Sequence, residues 1–177
     1  MLDFTTVIKT RRSVRAYSSR AVPEAVLQRI LEASQAAPSA NNVQPWHYVV
    51  MRDNEKKQQV ARLCSGQSFI AEADVVIACC SKRYLDRYSW LGDRMYIVDA
   101  TISLDHLVLA ARSEGLGTCW IGAFDARQHA GLKKLLGVPG EYDIPMVTPL
   151  GYPVKDNAFG PTTRRKALET IVSYDTF

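Results

Sequence analysis

The spacing of hydrophobic and polar residues changes several times along this chain, which predicts a mixture of helices and strands. From Pro23 to Ala37, the residues Leu27, Ile30 and Leu31 fall on one stripe of a helix, with the proline at its first turn. In contrast, "DVVIACC" (74–80) is a continuous apolar run, typical of a central strand that is covered on both faces.

The other predicted elements follow from the same reasoning. Further strands are predicted at 46–51, 117–124 and 144–153, and further helices after Asp3, over 53–64, over 93–114 and over 125–136. The first of these helices is expected to turn Phe4, Val7 and Ile8 inward. The helix at 93–114 has little polar face, so we expect burial on nearly all its sides, partly against a second subunit.

This order of elements predicts an α+β fold with a mainly antiparallel or mixed central sheet flanked by helices. No repeat or long linker divides the chain, so a single domain over residues 1–177 is expected. The composition agrees with this, since 47% of residues are hydrophobic and 23% are charged.

Composition also narrows the class of protein. The longest apolar run, "VVIACC", is far shorter than the roughly 20 residues of a membrane-spanning helix, and the N-terminus lacks the apolar centre of a secretory signal. We therefore expect a cytoplasmic protein with no membrane partner. The 4 cysteines lack metal-ligand spacing and are expected to be reduced core thiols, so no metal site is predicted.

The net charge of +4 is concentrated in two places, "KTRRSVRAYSSR" near the N-terminus and "TTRRKA" near the end. A solvated face explains most charge runs, but two basic clusters in one chain also suit an anion. Base-stacking aromatic residues are not interleaved with the arginines, so no nucleic-acid partner is expected.

Common catalytic motifs do not fit this sequence. The glycines of "GLGTCWIG" follow a predicted helix and precede a strand, the reverse of a dinucleotide fingerprint, and Gly115 is better explained as the end of that helix. The 3 histidines lie outside metal and nucleophile motifs. A chain with so little acid, base or nucleophile machinery either binds a ligand or takes its chemistry from a cofactor.

Five segments, in order, resemble the FMN-dependent nitroreductase family, of the compact bacterial and archaeal kind. They are "RRSVRAY", "PSANNVQPWHYVV", "GLGTCWIGAFD", "PLGYP" and "RRKALETIV", and together they extend over nearly the whole chain. The resemblance implies the family's fold, an intertwined homodimer, and FMN bound at the subunit interface.

The resemblance also assigns residues to the cofactor. It implies phosphate contacts from the N-terminal motif and the C-terminal arginines, namely Arg11, Arg12, Ser13, Arg15, Arg164 and Arg165. It implies flavin contacts from the neighbouring subunit's loop and from two further segments, namely Pro38, Ser39, Ala40 and Asn42, then Gln67, then Trp120, Ile121 and Gly122. Departures from the family pattern occur at Thr163, a lysine in some larger members, and at Ala167, often proline.

The implied chemistry belongs to the flavin, whose N5 lies beside the backbone near Ile121 and Gly122, and no side chain is assigned as catalytic. The family's members take hydride from NADH or NADPH and pass it, in a ping-pong mechanism, to small electron-poor acceptors such as nitroaromatics or quinones. Arg15 is the expected stabiliser of the reduced flavin's negative charge, and "YLDRYSWLGDRMY" is the expected lid.

Two other functions remain open at this point. One is a specialised flavin relative, either a reductive dehalogenase or a flavin-fragmenting enzyme. The other is a flavin-binding redox module with little turnover.

Overall fold

A computed structural model describes residues 2–155, 158–161 and 164–177 of the chain. The helices are α1 (Phe4–Thr10), α2 (Glu24–Gln35), α3 (Asn54–Leu63), α4 (Phe69–Glu72), α5 (Met95–Ser113) and α6 (Ala126–Leu136). The strands are β1 (Trp46–Met51), β2 (Val75–Lys82), β3 (Gly117–Thr118) and β4 (Tyr142–Gly151). Short 3-10 turns occur at Ala40–Asn42, Gly92–Arg94 and Leu168–Thr170.

The strands form one sheet in the order β1-β2-β4-β3, and each neighbouring pair is antiparallel. The segment after α1 extends this sheet beyond β3, where Ser13 forms a parallel bridge with Thr118. The predicted α+β fold with a mainly antiparallel sheet is therefore confirmed, as is the central position of β2.

Hydrophobic side chains fill both faces of the sheet. Helices α2 and α5 cover one face and α3 and α6 the other, and successive residues of β2 point alternately to the two sides. Cys79 accordingly lies in the α2/α5 core and Cys80 in the α3/α6 core. All four cysteines are buried and free, as expected for core thiols.

Local sequence signals explain where several helices begin and end. Asp3 caps α1 by accepting the Thr6 N–H at 3.1 Å, and Asp53 caps α3 by accepting the Lys56 N–H at 2.8 Å. Asp125 and Gln128 form a reciprocal capping box at α6. Gly115 has a φ of +78°, which confirms that it ends the helix before it.

The predicted strand over 117–124 is wrong for most of its length. Regular pairing ends at Thr118, because the Cys119 N–H donates to the Thr148 hydroxyl instead of a backbone carbonyl. Ile121 returns to the sheet only through an isolated bridge with Val147. The residues after Thr118 thus follow the sheet edge as an irregular segment.

Other expectations are corrected at the ends of elements. In α1 only Val7 is buried, while Phe4 and Ile8 are 73% and 49% exposed, because this short helix packs on the rest of the chain through one narrow face. Helix α5 begins at Met95 rather than at residue 93, after a 3-10 turn. Helix α4 was not predicted, since four residues are too few to show a helical period.

Candidate functional site

The N-terminal basic segment, residues 9–20, is fixed to the sheet by backbone hydrogen bonds. The Val14 N–H donates to the Thr118 carbonyl at 2.9 Å, and the Ser18 N–H donates to the Tyr152 carbonyl at 2.8 Å. Gly117 permits this close approach, because a Cβ there would lie 2.6 Å from Cγ2 of Val14. Because the backbone is fixed in this way, successive side chains of the segment point alternately to opposite sides.

One face of this segment carries cationic and hydroxyl groups beside Cys119. Burial raises the pKa of the Cys119 thiol, while the Arg15 charge, the Ser13 hydroxyl and the Arg11 charge act in the opposite direction. Ser13, which pairs with Thr118, therefore lies next to Cys119, and the period of an extended segment puts Arg11 and Arg15, two residues to either side of it, on the same side of the segment. Val14, in contrast, is buried against Gly117.

These groups remain available for an anion. Ser13 and Arg15 are exposed and Arg11 is half-buried. Neither Arg11 nor Arg15 forms an ion pair with any residue in the described ranges. Guanidinium and hydroxyl donors are the groups that bind phosphate best, so this face fits a phosphate such as that of FMN. Arg20, from the same basic stretch, instead lies 3.8 Å above the Tyr152 ring.

The C-terminal part of the chain returns to the same region. Arg12 donates to the Pro161 carbonyl, and the Arg112 guanidinium lies 4.0 Å above the Phe159 ring. Arg164 follows Pro161 by three residues, so their Cα atoms are separated by at most about 11 Å. Arg164 and Arg165 are exposed, and the Arg165 guanidinium donates to the Arg164 carbonyl at 3.4 Å. Thr163 lies outside the described residues.

A polar loop precedes β1 and has an unusual backbone. Asn41, Asn42 and Gln44 have φ values of 49°, 56° and 49°, a region that non-glycine residues rarely occupy. The Ser39 hydroxyl accepts the Gln44 N–H at 2.9 Å, and the Asn42 side-chain oxygen accepts from the Gln44 amide at 2.9 Å. Pro38 and Asn42 are exposed, while Ser39 and Ala40 are half-buried.

This loop and the basic segment lie at opposite ends of α5. The Ala40 N–H donates to Asp99 near the start of the helix, whereas Arg112 near its end donates to the Thr10 hydroxyl at 3.0 Å. The helix rises about 20 Å between Asp99 and Arg112. Within one chain, the structure therefore does not bring the loop 38–44 together with the basic segment.

The segment 120–122 lies beside the basic face and offers exposed backbone. Ile121 is buried and exchanges two 2.9 Å hydrogen bonds with Val147, which fixes the segment against β4. Gly122 is exposed, and a Cβ there would lie 2.9 Å from the sulfur of Met146. Trp120 is half-buried against the α2/α5 core.

Gln67 lies on a turn close to this segment. The neighbouring Ser65 donates to the Ala123 carbonyl at 2.7 Å, which ties the turn to the end of the 120–122 segment. The Gln67 amide donates to the Cys64 carbonyl at 2.9 Å, so its side chain already has a partner.

Most of the chain is similar to known proteins. The sequence model described as "Nitroreductase family" matches residues 8–83 and 63–152. The chain belongs to the nitroreductase family. It is 33% identical over 154 residues to a candidate NADH dehydrogenase/NAD(P)H nitroreductase of Archaeoglobus fulgidus, covering 86% of this chain and 87% of that protein.

Other relatives carry flavin-related and deiodinase names. An FMN reductase [NAD(P)H] of Bacillus subtilis is 32% identical over 182 residues, covering 93% of this chain and 72% of that protein. An iodotyrosine deiodinase of Thermotoga neapolitana is 27% identical over 190 residues, covering 96% of each chain.

A solved structure places the fold in the same family. The crystal structure of a nitroreductase family protein from Clostridium novyi NT superposes with a TM-score of 0.79 at 28% identity. The superposition covers 88% of this chain and 87% of that one. The family resemblance read from the sequence is thus confirmed.

The described residues contain neither a metal-binding cluster nor a membrane-spanning helix. Among them, no group of three or more His, Cys, Asp or Glu side chains is arranged to hold a metal ion. None of the helices in the described part of the chain is both long and apolar enough to cross a membrane.

Sequence reasoning missed two residues that fix the loop 38–44 and the basic segment in this fold. Asp99 lies in a helix that the sequence pattern describes as apolar, although a carboxylate on an otherwise buried helix itself indicates a hydrogen-bond partner. Gly117 was considered only as part of a glycine motif, and its contact with Val14 required the strand pairing. The assigned cofactor residues remain predictions.

Proposed function

We propose that this nitroreductase family member is an FMN-dependent oxidoreductase that uses NADH or NADPH as its hydride donor. The observation that carries the proposal is the face formed by Arg11, Ser13 and Arg15, which is free of ion pairs to described residues and lies beside the 120–122 segment. Family membership and the FMN reductase relative support the same cofactor.

Particular residues would hold FMN in this proposal. Arg11, Ser13 and Arg15 bind its phosphate and polar edge, with Arg12 and the arginines at 164–165 nearby. The exposed backbone at Gly122 allows a planar ring to approach, and Trp120, Ile121 and Gln67 border it. When bound, FMN would supply hydride transfer between the nicotinamide and an acceptor, and no side chain need act as acid or base.

A homodimer would complete the site. The loop 38–44 and the basic segment lie about 20 Å apart along α5, so contact of one flavin with both is favoured by a second subunit. If two α5 helices pack antiparallel, the loop of one subunit meets the basic segment of the other. Exposed Phe4, Ile8 and Ile97 on and near these helices offer apolar surface for such a contact.

The acceptor is proposed to be a small electron-poor molecule, such as a nitroaromatic or a quinone, reduced in a ping-pong sequence. The segment 84–92 suits a wall of the acceptor pocket, because Tyr88 and Trp90 are each 94% exposed. The Asp86 N–H donates to the Gly92 carbonyl at 3.1 Å, which closes this segment into a loop. Cytoplasmic location and a single domain over 1–177 stay predictions.

A specialised reaction is the second candidate, favoured by the similarity to an iodotyrosine deiodinase. Release of halide from a halogenated aromatic under anaerobic conditions would favour it, and release of a flavin fragment under oxygen would favour the flavin-fragmenting alternative. Slow oxidation of NADH and NADPH with every acceptor would favour a redox module.

The first experiment is the visible spectrum of the purified protein, followed by anaerobic addition of NADH and NADPH separately. We expect stoichiometric FMN per subunit and bleaching by at least one nicotinamide. A colourless protein that does not take up added FMN would refute the proposal.

A second experiment tests the phosphate site. Each charge-assisted hydrogen bond to the phosphate contributes about 1.5–3 kcal/mol, so riboflavin should bind far more weakly than FMN. Arg11→Ala should remove much of that difference. Arg20→Ala is the matched control, because Arg20 lies on the Tyr152 ring and should leave the FMN preference unchanged. Equal affinity for both ligands in the unaltered protein contradicts the assignment.

A third experiment tests whether the site is shared between subunits. Arg11→Ala and Asn42→Ala proteins, each defective in FMN binding, are mixed under conditions of subunit exchange. One composite site of each heterodimer then collects both defects, while the other combines an intact Arg11 with an intact Asn42. FMN binding should return at about half the sites of each heterodimer. Demonstrated exchange without recovery would mean that both residues act within one subunit.

A further inference from the structure

Asp99 is a buried carboxylate near the start of α5, and both of its oxygens have partners. It is 1% exposed, and its Oδ1 accepts the Ala40 N–H at 3.0 Å while its Oδ2 accepts the Tyr84 hydroxyl. Burial of a charge is unfavourable unless hydrogen bonds compensate it, and aspartate is a poor helix former. Neither helix formation nor packing explains an aspartate at this position, so the explanation must come from its two hydrogen-bond partners.

The first partner belongs to the loop 38–44, whose backbone requires support. Its three non-glycine residues of positive φ, Asn41, Asn42 and Gln44, adopt a conformation that persists only where surrounding contacts hold it. The contacts of Ser39 and Asn42 with Gln44 lie within the loop itself. The Asp99 hydrogen bond differs from these because it joins the loop to a rigid helix of the core.

The second partner belongs to the segment that carries the exposed aromatic residues. Burial and then the Asp99 carboxylate raise the pKa of Tyr84, which keeps its hydroxyl protonated as a donor. Tyr84 also borders a cavity of about 130 Å³ whose other walls include Val43, Gln44 and Pro45 from the end of the loop. The two segments are therefore neighbours, and a single carboxylate holds both.

We propose that Asp99 is a positioning residue that fixes the loop 38–44, and with it the base of the 84–92 segment, in the arrangement that receives FMN. Its consequence for FMN rests on the proposed function. Asp99 does not touch the flavin in this proposal but acts through the Ala40 N–H, on the flavin held mainly by the other subunit.

The test compares Asp99→Ala with Asp99→Asn. Asparagine keeps an oxygen that can accept the Ala40 N–H, whereas alanine removes it. In the apoprotein, amide hydrogen exchange at Ala40 should be about tenfold faster or more in Asp99→Ala and near the unaltered rate in Asp99→Asn. FMN, titrated by fluorescence, should bind about tenfold or more weakly to Asp99→Ala, and Asp99→Asn should restore most of this affinity.

Two further variants keep the test decisive. Glu55→Gln changes an exposed carboxylate on α3, on the opposite face of the sheet from α5, and should alter neither exchange at Ala40 nor FMN affinity. If Asp99→Ala does not fold, Ala40→Pro removes the same N–H donor, and the extended Ser39 before it (φ −142°, ψ 157°) tolerates a following proline. It should weaken FMN binding as Asp99→Ala is expected to.

Recovery in heterodimers separates positioning from general destabilisation. Asp99→Ala mixed with Arg11→Ala should regain FMN at about half the sites, the result also expected of Asn42→Ala in the shared-site experiment. Unchanged amide exchange at Ala40 in Asp99→Ala, or equal loss of FMN affinity in Asp99→Ala and Asp99→Asn, would overturn the proposal.

Failure of the unaltered protein to bind FMN would refute the proposed function. Amide exchange in the apoprotein would still decide whether Asp99 holds the loop.

Discussion

Gly117→Ala adds a single methyl group and should disrupt the packing of the basic segment on β3. A Cβ at this position would lie 2.6, 2.7 and 2.9 Å from Cγ2, Cβ and Cγ1 of Val14. Val14 is buried and β-branched, so it cannot move aside by a simple rotation. Overpacking costs about 1–3 kcal/mol, and the lower entropy of the unfolded alanine chain offsets about 0.4–1 kcal/mol. We expect the free energy of unfolding to fall by about 1–2 kcal/mol.

The same substitution should also weaken FMN binding, because displacement of Val14 from Gly117 moves the adjacent Ser13 and Arg15. Urea unfolding of the apoprotein measures the stability, and FMN titration measures the site. Gly140→Ala is the matched control, since a Cβ there would meet nothing within 4 Å, so only the entropy gain acts and stability should rise by about 0.4–1 kcal/mol.

A double-variant cycle makes the contact itself testable. In a Val14→Gly background all three clashing atoms are gone, so Gly117→Ala should lose most of its cost. If Gly117→Ala is as stable as the unaltered protein and binds FMN equally well, the close packing of the basic segment on β3 is not what positions the site.

Three further predictions concern stability. Burial raises the pKa of Cys80 to about 11 from a usual value of 9.0, so between pH 9 and pH 11 the unfolded state releases this proton first, and the contribution of Cys80 to stability falls by about 1.4 kcal/mol per pH unit. The other three buried cysteines also have raised pKa values and add to the total slope, so Cys80→Ala should reduce the slope measured by urea unfolding by about 1.4 kcal/mol per pH unit. Asp125→Ala removes a helix cap and should cost about 1 kcal/mol in the same assay. Arg112→Ala loses its contacts with Thr10 and Phe159 and should increase proteolysis in the C-terminal region, measured by limited digestion.

Features set by nearby residues were predictable from the sequence. The caps at Asp3, Asp53 and Asp125 each depend on a partner three residues away, and the strand β1 was predicted with its observed ends. The alternation of Cys79 and Cys80 likewise follows from the two-residue period of a strand.

Features set by distant residues were not predictable in this way. The strand after Gly117 ends early because the Cys119 N–H meets the Thr148 side chain, a partner that no local pattern identifies. Asp99 and Ser103 are both polar residues on the buried face of α5, which indicates that each has a hydrogen-bond partner. The sequence does not identify those partners as Ala40 and Tyr84 for Asp99, or as the Ser34 carbonyl for Ser103.

Helix α5 connects these local and distant features. Asp99 near its start holds the loop that precedes β1, and Arg112 near its end contacts Thr10 and the Phe159 ring, beside the basic segment. Because a helix is rigid, the roughly 20 Å between Asp99 and Arg112 is fixed by the number of residues between them. A second α5 packed antiparallel would bring opposite ends together by symmetry alone. Helix α5 would then have two roles: its apolar side chains fill the core, and its length sets the separation at which two half-sites meet.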